Sequence, residues 1–392
     1  MLKSLNKCRR ATPVAAICAA FLTACVARPP VIPSGKLVPV EFSAIPGWST
    51  DETTAALSAL RNGCEKIKDM PAQTSLGGSG IAAARGGQAG QWQSMCAAAN
   101  VLIDADDPQA RQFFETYLTP YRIGGDARFT GYYDPEVPGS LTSGAGFTVP
   151  VYGRPHDLMV GLPPADPSQP RIIGRLAGTK IVPYWTRAEI DAGVMGEDAK
   201  PIAYLASDVD LFFLQIQGSG RIKLPHGSVM RLAFEAKNGR PYTPIGRSLV
   251  AMGALKPDQV SLQTVRAWLL AHPTQARAVM ERNESYIFFR IDNQDDPALG
   301  PPGALGVALT PNRSAAIDRA FIPLGAPIFL TTTDPITGVK YQHLMLGQDL
   351  GTDIKGPARA DIFYGAGPTA EATAGTMHGT GALFVLLPRL AE

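Results

Sequence analysis

"GQDLGTDIKGPARADIFYGAG", residues 347–367, packs Asp349, Asp353 and Asp361 into one short Gly-rich run, with Lys355 and Arg359 between them. Such a run fits three chemistries: a metal loop, a working pair of carboxylates, or one acid with structural neighbours. A calcium loop spaces its oxygen ligands at alternate positions. Here Asp353 and Asp361 follow Asp349 at offsets of +4 and +12. Lys355 and Arg359 also oppose a nearby cation, so no metal is expected. "RADIFYG" (359–365) reads as a strand, which places Asp361 and Phe363 on one face and Ile362 and Tyr364 on the other. Aspartates in Gly-rich loops commonly serve as turn or cap residues, and Asp353 is read that way.

The same β-rich texture runs backward from this stretch. "IPLGAPIFLTT" (322–332), "HLMLGQDL" (343–350) and "GALFVLLP" (381–388) are strand-like, as is "GVALTP" (306–311). From "ARFTGYYDPEV" (127–137) onward, short β runs alternate with Pro and Gly, and "DVDLFFLQIQGSGRIKLPHGSVMRLAFEAKNGRPY" (208–242) reads as several strands with GSG and NG turns. Helical spacing appears in 51–70, 91–103, 107–118, 244–255 and 261–284, while 74–90 reads as a flexible Gly-rich loop. The chain of 392 residues is long enough for two or three domains. The order is helices, a β-rich middle, a helical return and a β-rich end.

The N-terminus reads as a targeting segment. Lys3, Lys7, Arg9 and Arg10 precede the apolar run 13–24, too short to span a bilayer as a mature helix. "LTAC" ends it at Cys25, which reads as a bacterial lipoprotein signal (1–24) with acylation of the Cys25 thiol; the alternative is an ordinary secretory peptide. Val26, not Asp, follows, which points to the periplasmic face of the outer membrane. Removing 1–24 takes away four basic and no acidic residues, so the formal charge of +2 becomes −2. No basic tract remains, and nucleic-acid binding is excluded. Residues 25–48 read as an extended tether. Cys64 and Cys96 are left as an even pair in an oxidising compartment, where a disulfide is expected over two buried thiols.

"FTGYYDP" (129–135), "DLFFLQIQGSGRI" (210–222), "NESYIFFR" (283–290), "LGVALTPNRSAAIDRAFIPLGAPIFL" (305–330) and the opening stretch, in this order, resemble the membrane-bound lytic murein transglycosylase A family. The C-terminal part also resembles the three-aspartate (3D) domain of cell-wall factors. The resemblance implies a mainly β fold with helices (α+β): a double-psi β-barrel domain with a second, smaller β domain inserted and a glycan groove between them. The boundaries expected are 49–135 for the N-terminal helical part of the barrel domain, 136–282 for the insert and 283–392 for the barrel proper.

The resemblance further implies a lyase that cuts the β-1,4 bond between N-acetylmuramic acid and N-acetylglucosamine in peptidoglycan. The muramyl C6 hydroxyl closes on C1 and leaves a 1,6-anhydro end. One carboxyl suffices as acid and then base, and no cofactor is expected. Asp361 matches the family's catalytic position and Asp349 its supporting carboxylate, which raises the pKa of its neighbour by like-charge repulsion. The loop "TDIKGPA" (352–358) is expected to bring the two together. Groove candidates are Thr130, Tyr132 and Tyr133, one tyrosine being a core residue by alternation. Gln217 and Gln215 are expected on one strand face, with Ser219, Arg221 and Lys355 as further glycan contacts. His343 and His378 are read as surface or core residues. The expected partners are glycan strands, the outer membrane through the lipid, and cell-wall synthases, with the protein a monomer. Two rival readings are a glycoside hydrolase with Asp361 as acid and Asp349 as base, and a non-catalytic expansin-like wall-binding lipoprotein.

Overall fold

The protein is represented by a computed structural model that describes residues 32–162, 172–294, 296–335 and 337–389. The signal segment 1–24, Cys25 and the first part of the tether lie outside the described residues. Four helices open the fold: α1 (Thr53–Ile67), α2 (Gly80–Gly86), α3 (Gly90–Val101) and α4 (Asp107–Tyr117). On α1, Ala56, Leu57, Leu60, Cys64 and Ile67 form the buried stripe. Burying each large member contributes about 1.5–3 kcal/mol. Helix α2 lies inside the Gly-rich run expected to be a loop. Cys64 on α1 and Cys96 on α3 form a disulfide. The start of α4 is set by Asp106 and Gln109, whose side chains satisfy each other's backbone N–H.

Strands β1 (Leu37–Pro39), β2 (Leu118–Ile123) and β3 (Ala127–Asp134) follow the helical part in space, and β3 leads directly into the insert. The insert contains β4 (Glu136–Ser140), β5 (Val149–Tyr152), β6 (Met159–Leu162), β7 (Ile172–Ala177), β8 (Lys180–Pro183), β9 (Pro201–Leu205), β10 (Gly220–Lys223), β11 (Val229–Lys237) and β12 (Ile287–Asp292). It also holds helices α5 (Arg187–Asp191), α6 (Asp208–Gln217), α7 (Ile245–Ala251), α8 (Leu262–Ala271) and α9 (Pro273–Met280). Six of these strands form one sheet in the order β12-β11-β10-β4-β9-β5, and β6-β7-β8 form a second. The last strand of the insert's sheet, β12, lies beyond the boundary expected at 282.

The remaining elements are β13 (Ser314–Ile317), β14 (Pro327–Thr333), β15 (Lys340–Leu350), β16 (Arg359–Ala366), α10 (Gly367–Thr376) and β17 (His378–Pro388). Their order is β17-β14-β15-β13-β16-β3, and β17 pairs with β3 as well, so the six strands close into a barrel. Strand β17 does this by bending: His378–Gly381 pair with β3, while Ala382–Val385 pair with β14. The pairs β13/β15 and β3/β16 are parallel. By alternation and register, Phe129, Ile328, Leu330, Met345, Ile362, Leu383 and Val385 share the inner face and are almost fully buried, while Phe329, Leu344 and Leu346 lie on the outer face, where Phe329 packs on Trp48. A barrel leaves no unpaired edge and so needs no further cover.

One segment differs in kind from its expectation. Residues 208–217 form α6, not a strand. The hydroxyl of Ser207 accepts from the Asp210 N–H, Asp208 and Asp210 sit in the first turn, and Gly218 ends the helix at φ 81°. Val209 through Gln215 are buried apart from Asp210, so the run is apolar nearly all round and shows no helical period. Similarly, 306–311 carries no strand and instead folds back on 300–305.

Candidate functional site

Strand β13 lies between β15 and β16, and its Ala316 stands opposite Asp349 on one side and Asp361 on the other. Opposed residues point to the same face, so the two carboxylates flank a single methyl group. With strands about 4.8 Å apart, their Cα atoms are about 10 Å apart. The register of β13 therefore brings the pair together, not the loop 352–358, which only connects β15 to β16. Both aspartates are half-buried, with one side open on this outer face of the barrel.

Each carboxylate has its own partner from β3. Thr130 is opposite Asp361, and its hydroxyl donates to Asp361 Oδ1. Tyr132, opposite Phe363, donates its hydroxyl to Asp349 Oδ2 at 2.8 Å. The Tyr132 and Phe363 rings pack with centroids 5.3 Å apart. The Ala304 N–H donates to Asp349 Oδ1 at 2.9 Å, so both Asp349 oxygens are engaged. The loop carrying Ala304 closes over Phe363 at Gly300, where a Cβ would fall 2.4 Å from the ring.

Burial, and then the charge of Asp349, push the Asp361 carboxyl up to about 6, against the pull of Thr130 and Arg359. Burial also raises Asp349, with the Leu350 and Ala304 N–H groups and Tyr132 opposing it. Two adjacent carboxyls with different partners can hold different protonation states at one pH. Asp349→Asn removes the repelling charge, so the Asp361 pKa should fall. The basic limb of the pH–activity profile should then move to lower pH with turnover reduced, and an unmoved limb would make Asp349 purely structural.

The other candidates are divided differently from the sequence expectation. Tyr133 is buried, and its N–H donates to Gln217 Oε1 at 3.1 Å. Gln217 sits at the last turn of α6 and so braces β3. Gln215 does not share a face with it on any strand: it is buried and accepts from Arg187 Nη1 at 2.5 Å. Ser219 is also buried and donates to Asp134 Oδ1 at 2.8 Å, while Arg221 Nε donates to Asp134 Oδ2 at 2.9 Å. Arg221 also holds the carbonyls of Pro297 and Leu299. These residues latch the end of β3 to the insert, and Ser219 is corrected from a glycan contact to a frame residue. Lys355 and Asp353 are exposed on the β15–β16 loop. His343 Nδ1 lies 2.8 Å from Asp51 Oδ1, away from the carboxylate pair. His378 is exposed beside Thr130 in register, on β17.

Sequence reasoning missed Ala316, Ala304 and the part Arg359 plays. Arg359 Nη2 donates to Thr130 Oγ1 at 2.7 Å. Its place two residues before Asp361, on the same strand face, was the available signal.

Comparison with known proteins follows the same division of the chain. A family model described as the MltA specific insert domain matches residues 128–290, and one described as the 3D domain matches 313–387. The crystal structure of a membrane-bound lytic murein transglycosylase from Agrobacterium tumefaciens superposes with TM-score 0.80 at 34% identity, covering 90% of this chain and 98% of that one. MltA from Neisseria gonorrhoeae gives 0.75 at 32%, covering 92% and 97%. Membrane-bound lytic murein transglycosylase A of Escherichia coli K12 is 32% identical over 271 residues, which span 67% of this chain and 66%, just under two thirds, of the relative. The chain belongs to the membrane-bound lytic murein transglycosylase A family.

Proposed function

We propose that the protein is a peptidoglycan lytic transglycosylase in which Asp361 is the single acid/base. The observation that carries this reading is a half-buried carboxyl raised to about 6, set in the family's barrel face beside a second carboxylate. At pH 7 about a tenth of Asp361 is protonated, roughly a hundred-fold more than of an ordinary aspartate, and an acid for the glycosidic oxygen must carry that proton. Once the bond breaks, the carboxylate takes the proton of the muramyl C6 hydroxyl, which closes on C1. The nucleophile is part of the substrate, so proximity replaces an activated water.

A two-carboxylate hydrolase needs a second group free to act as base or nucleophile. Asp349 is poorly suited, because one oxygen accepts from Tyr132 and the other from Ala304. Its role is to raise Asp361 and to hold Tyr132 in the groove wall. Thr130, Tyr132 and the exposed Lys355 are the proposed glycan contacts, with Tyr133, Gln217 and Ser219 behind them.

No helix among the described residues is long and apolar enough to cross a membrane. Anchoring is proposed through a lipid on Cys25, at the periplasmic face of the outer membrane, with cell-wall synthases as neighbours and the protein a monomer. Digestion of purified sacculi with mass analysis of the products tests the reaction. Anhydro-muramic ends are expected, and free reducing muramic ends would reject it in favour of hydrolysis.

A further inference from the structure

Thr130 stands between two charged groups of β16. Arg359 Nη2 donates to its oxygen at 2.7 Å, and its hydroxyl is bonded to Asp361 Oδ1. A guanidinium has donors only, and a hydroxyl has one proton. Towards Arg359 the Thr130 oxygen therefore accepts, and its proton goes to Asp361 Oδ1. The Arg359 head does not depend on substrate for its place: Nη1 donates to Ala360 O at 2.7 Å and to Arg128 O at 3.3 Å, so the backbones of β16 and β3 both hold it. With Oδ1 committed as an acceptor, a proton on the Asp361 carboxyl resides on Oδ2, which has no partner among the described residues.

We infer that Arg359 is a positioning residue which, acting through Thr130, fixes the acidic proton of Asp361 on Oδ2, the oxygen left open to the glycan. The inference rests on the assignment of Asp361 as the acid. Without a donor-only group at 359, the Thr130 hydroxyl is free to turn, and a proton on Oδ1, the oxygen turned to Thr130, becomes competitive. The guanidinium also draws the Asp361 pKa down, against burial.

The test is a double-mutant cycle on anhydro-product release, with turnover, KM and the pH profile measured for each enzyme. Arg359→Gln offers Thr130 an acceptor as well as a donor. It should lower kcat about 10-fold, a fraction of the factor a general acid supplies, with KM within about 2-fold, and should move the basic limb to higher pH. Arg359→Lys restores a donor-only cation and should recover most of kcat. In a Thr130→Val background there is no hydroxyl to orient, so Arg359→Gln should cost less than about 2-fold.

Equal losses in both backgrounds, or a change confined to KM, would overturn the inference and make Arg359 a glycan contact or a structural clamp. Thr130→Val alone removes the hydroxyl and keeps the guanidinium. Unchanged kcat there overturns the inference even if Arg359→Gln fails to fold. Failure of the acid assignment looks different: Asp361→Asn would then remain active.

Discussion

Asp361→Asn is expected to lower turnover of peptidoglycan by about 10²–10⁴-fold, the range of general acid catalysis, while glycan binding persists. The amide is nearly isosteric, and its oxygen still accepts from the Thr130 hydroxyl that now meets Oδ1. It has no acidic proton to give to a leaving oxygen. Stability should move the other way from activity. The folded-state pKa of Asp361 is raised from 3.8 to about 6, so ionisation opposes folding progressively as pH rises across that window and fully above it. The Asn variant should therefore melt no lower than the parent at pH 7.5. Product mass analysis with calorimetric titration of a glycan oligomer checks the first half, and thermal melting at pH 7.5 checks the second. Turnover retained near the parent level would remove Asp361 from the chemistry.

Asp51→Ala is expected to cost about 3–5 kcal/mol of stability, the usual consequence of stranding one partner of a buried ion pair. Asp51 precedes α1, and its side chain is fully buried. Arg313 Nη1 donates to both carboxylate oxygens at 3.1 and 3.0 Å, and the Leu344 N–H donates at 2.7 Å. Arg313 is itself 7% exposed, so removing Asp51 leaves its charge without a counter-ion. Burial pushes the Asp51 carboxyl up, but His343, Arg313 and the Leu344 N–H outweigh it and hold the pKa below 3.8. A depressed carboxylate stabilises the fold above its unfolded-state pKa, and that stability is lost as pH falls through the folded one. The parent should therefore weaken in acid below about pH 4, and Asp51→Ala should weaken less steeply there. Urea unfolding at pH 7 and pH 3 measures this, and equal midpoints for parent and variant at pH 7 would show the ion pair to be dispensable.

Alternation along 359–365 was enough to separate Asp361 from Ile362, and the spacing of Leu57, Leu60 and Ile67 was enough to place a buried face on α1. Such features depend on neighbours in the chain. Ala316 carries no signal of that sort: it matters only because β13 pairs with β15 and β16 in one register. Gln217 and Ser219 were read as glycan contacts because their protein partners, the Tyr133 N–H and Asp134, lie 84 and 85 residues away. Helix α6 was hidden for a different reason. Its interior is apolar almost all round, and only its ends, Ser207 and Gly218, declare its type.

The closure of the barrel by β17 onto β3 has a consequence for a chain made from its N-terminus. Thr130 is synthesised 231 residues before the Asp361 it bonds to. In the interval the insert can complete its own sheet, from β4 to β12, while β3 waits without either barrel neighbour. Long-range pairings of this kind form late and slowly. An unfinished chain therefore holds groove residues but no assembled acid. On the proposed function, the capacity to cut arrives only with the last strands, a natural delay for an enzyme that would act on the wall protecting the cell.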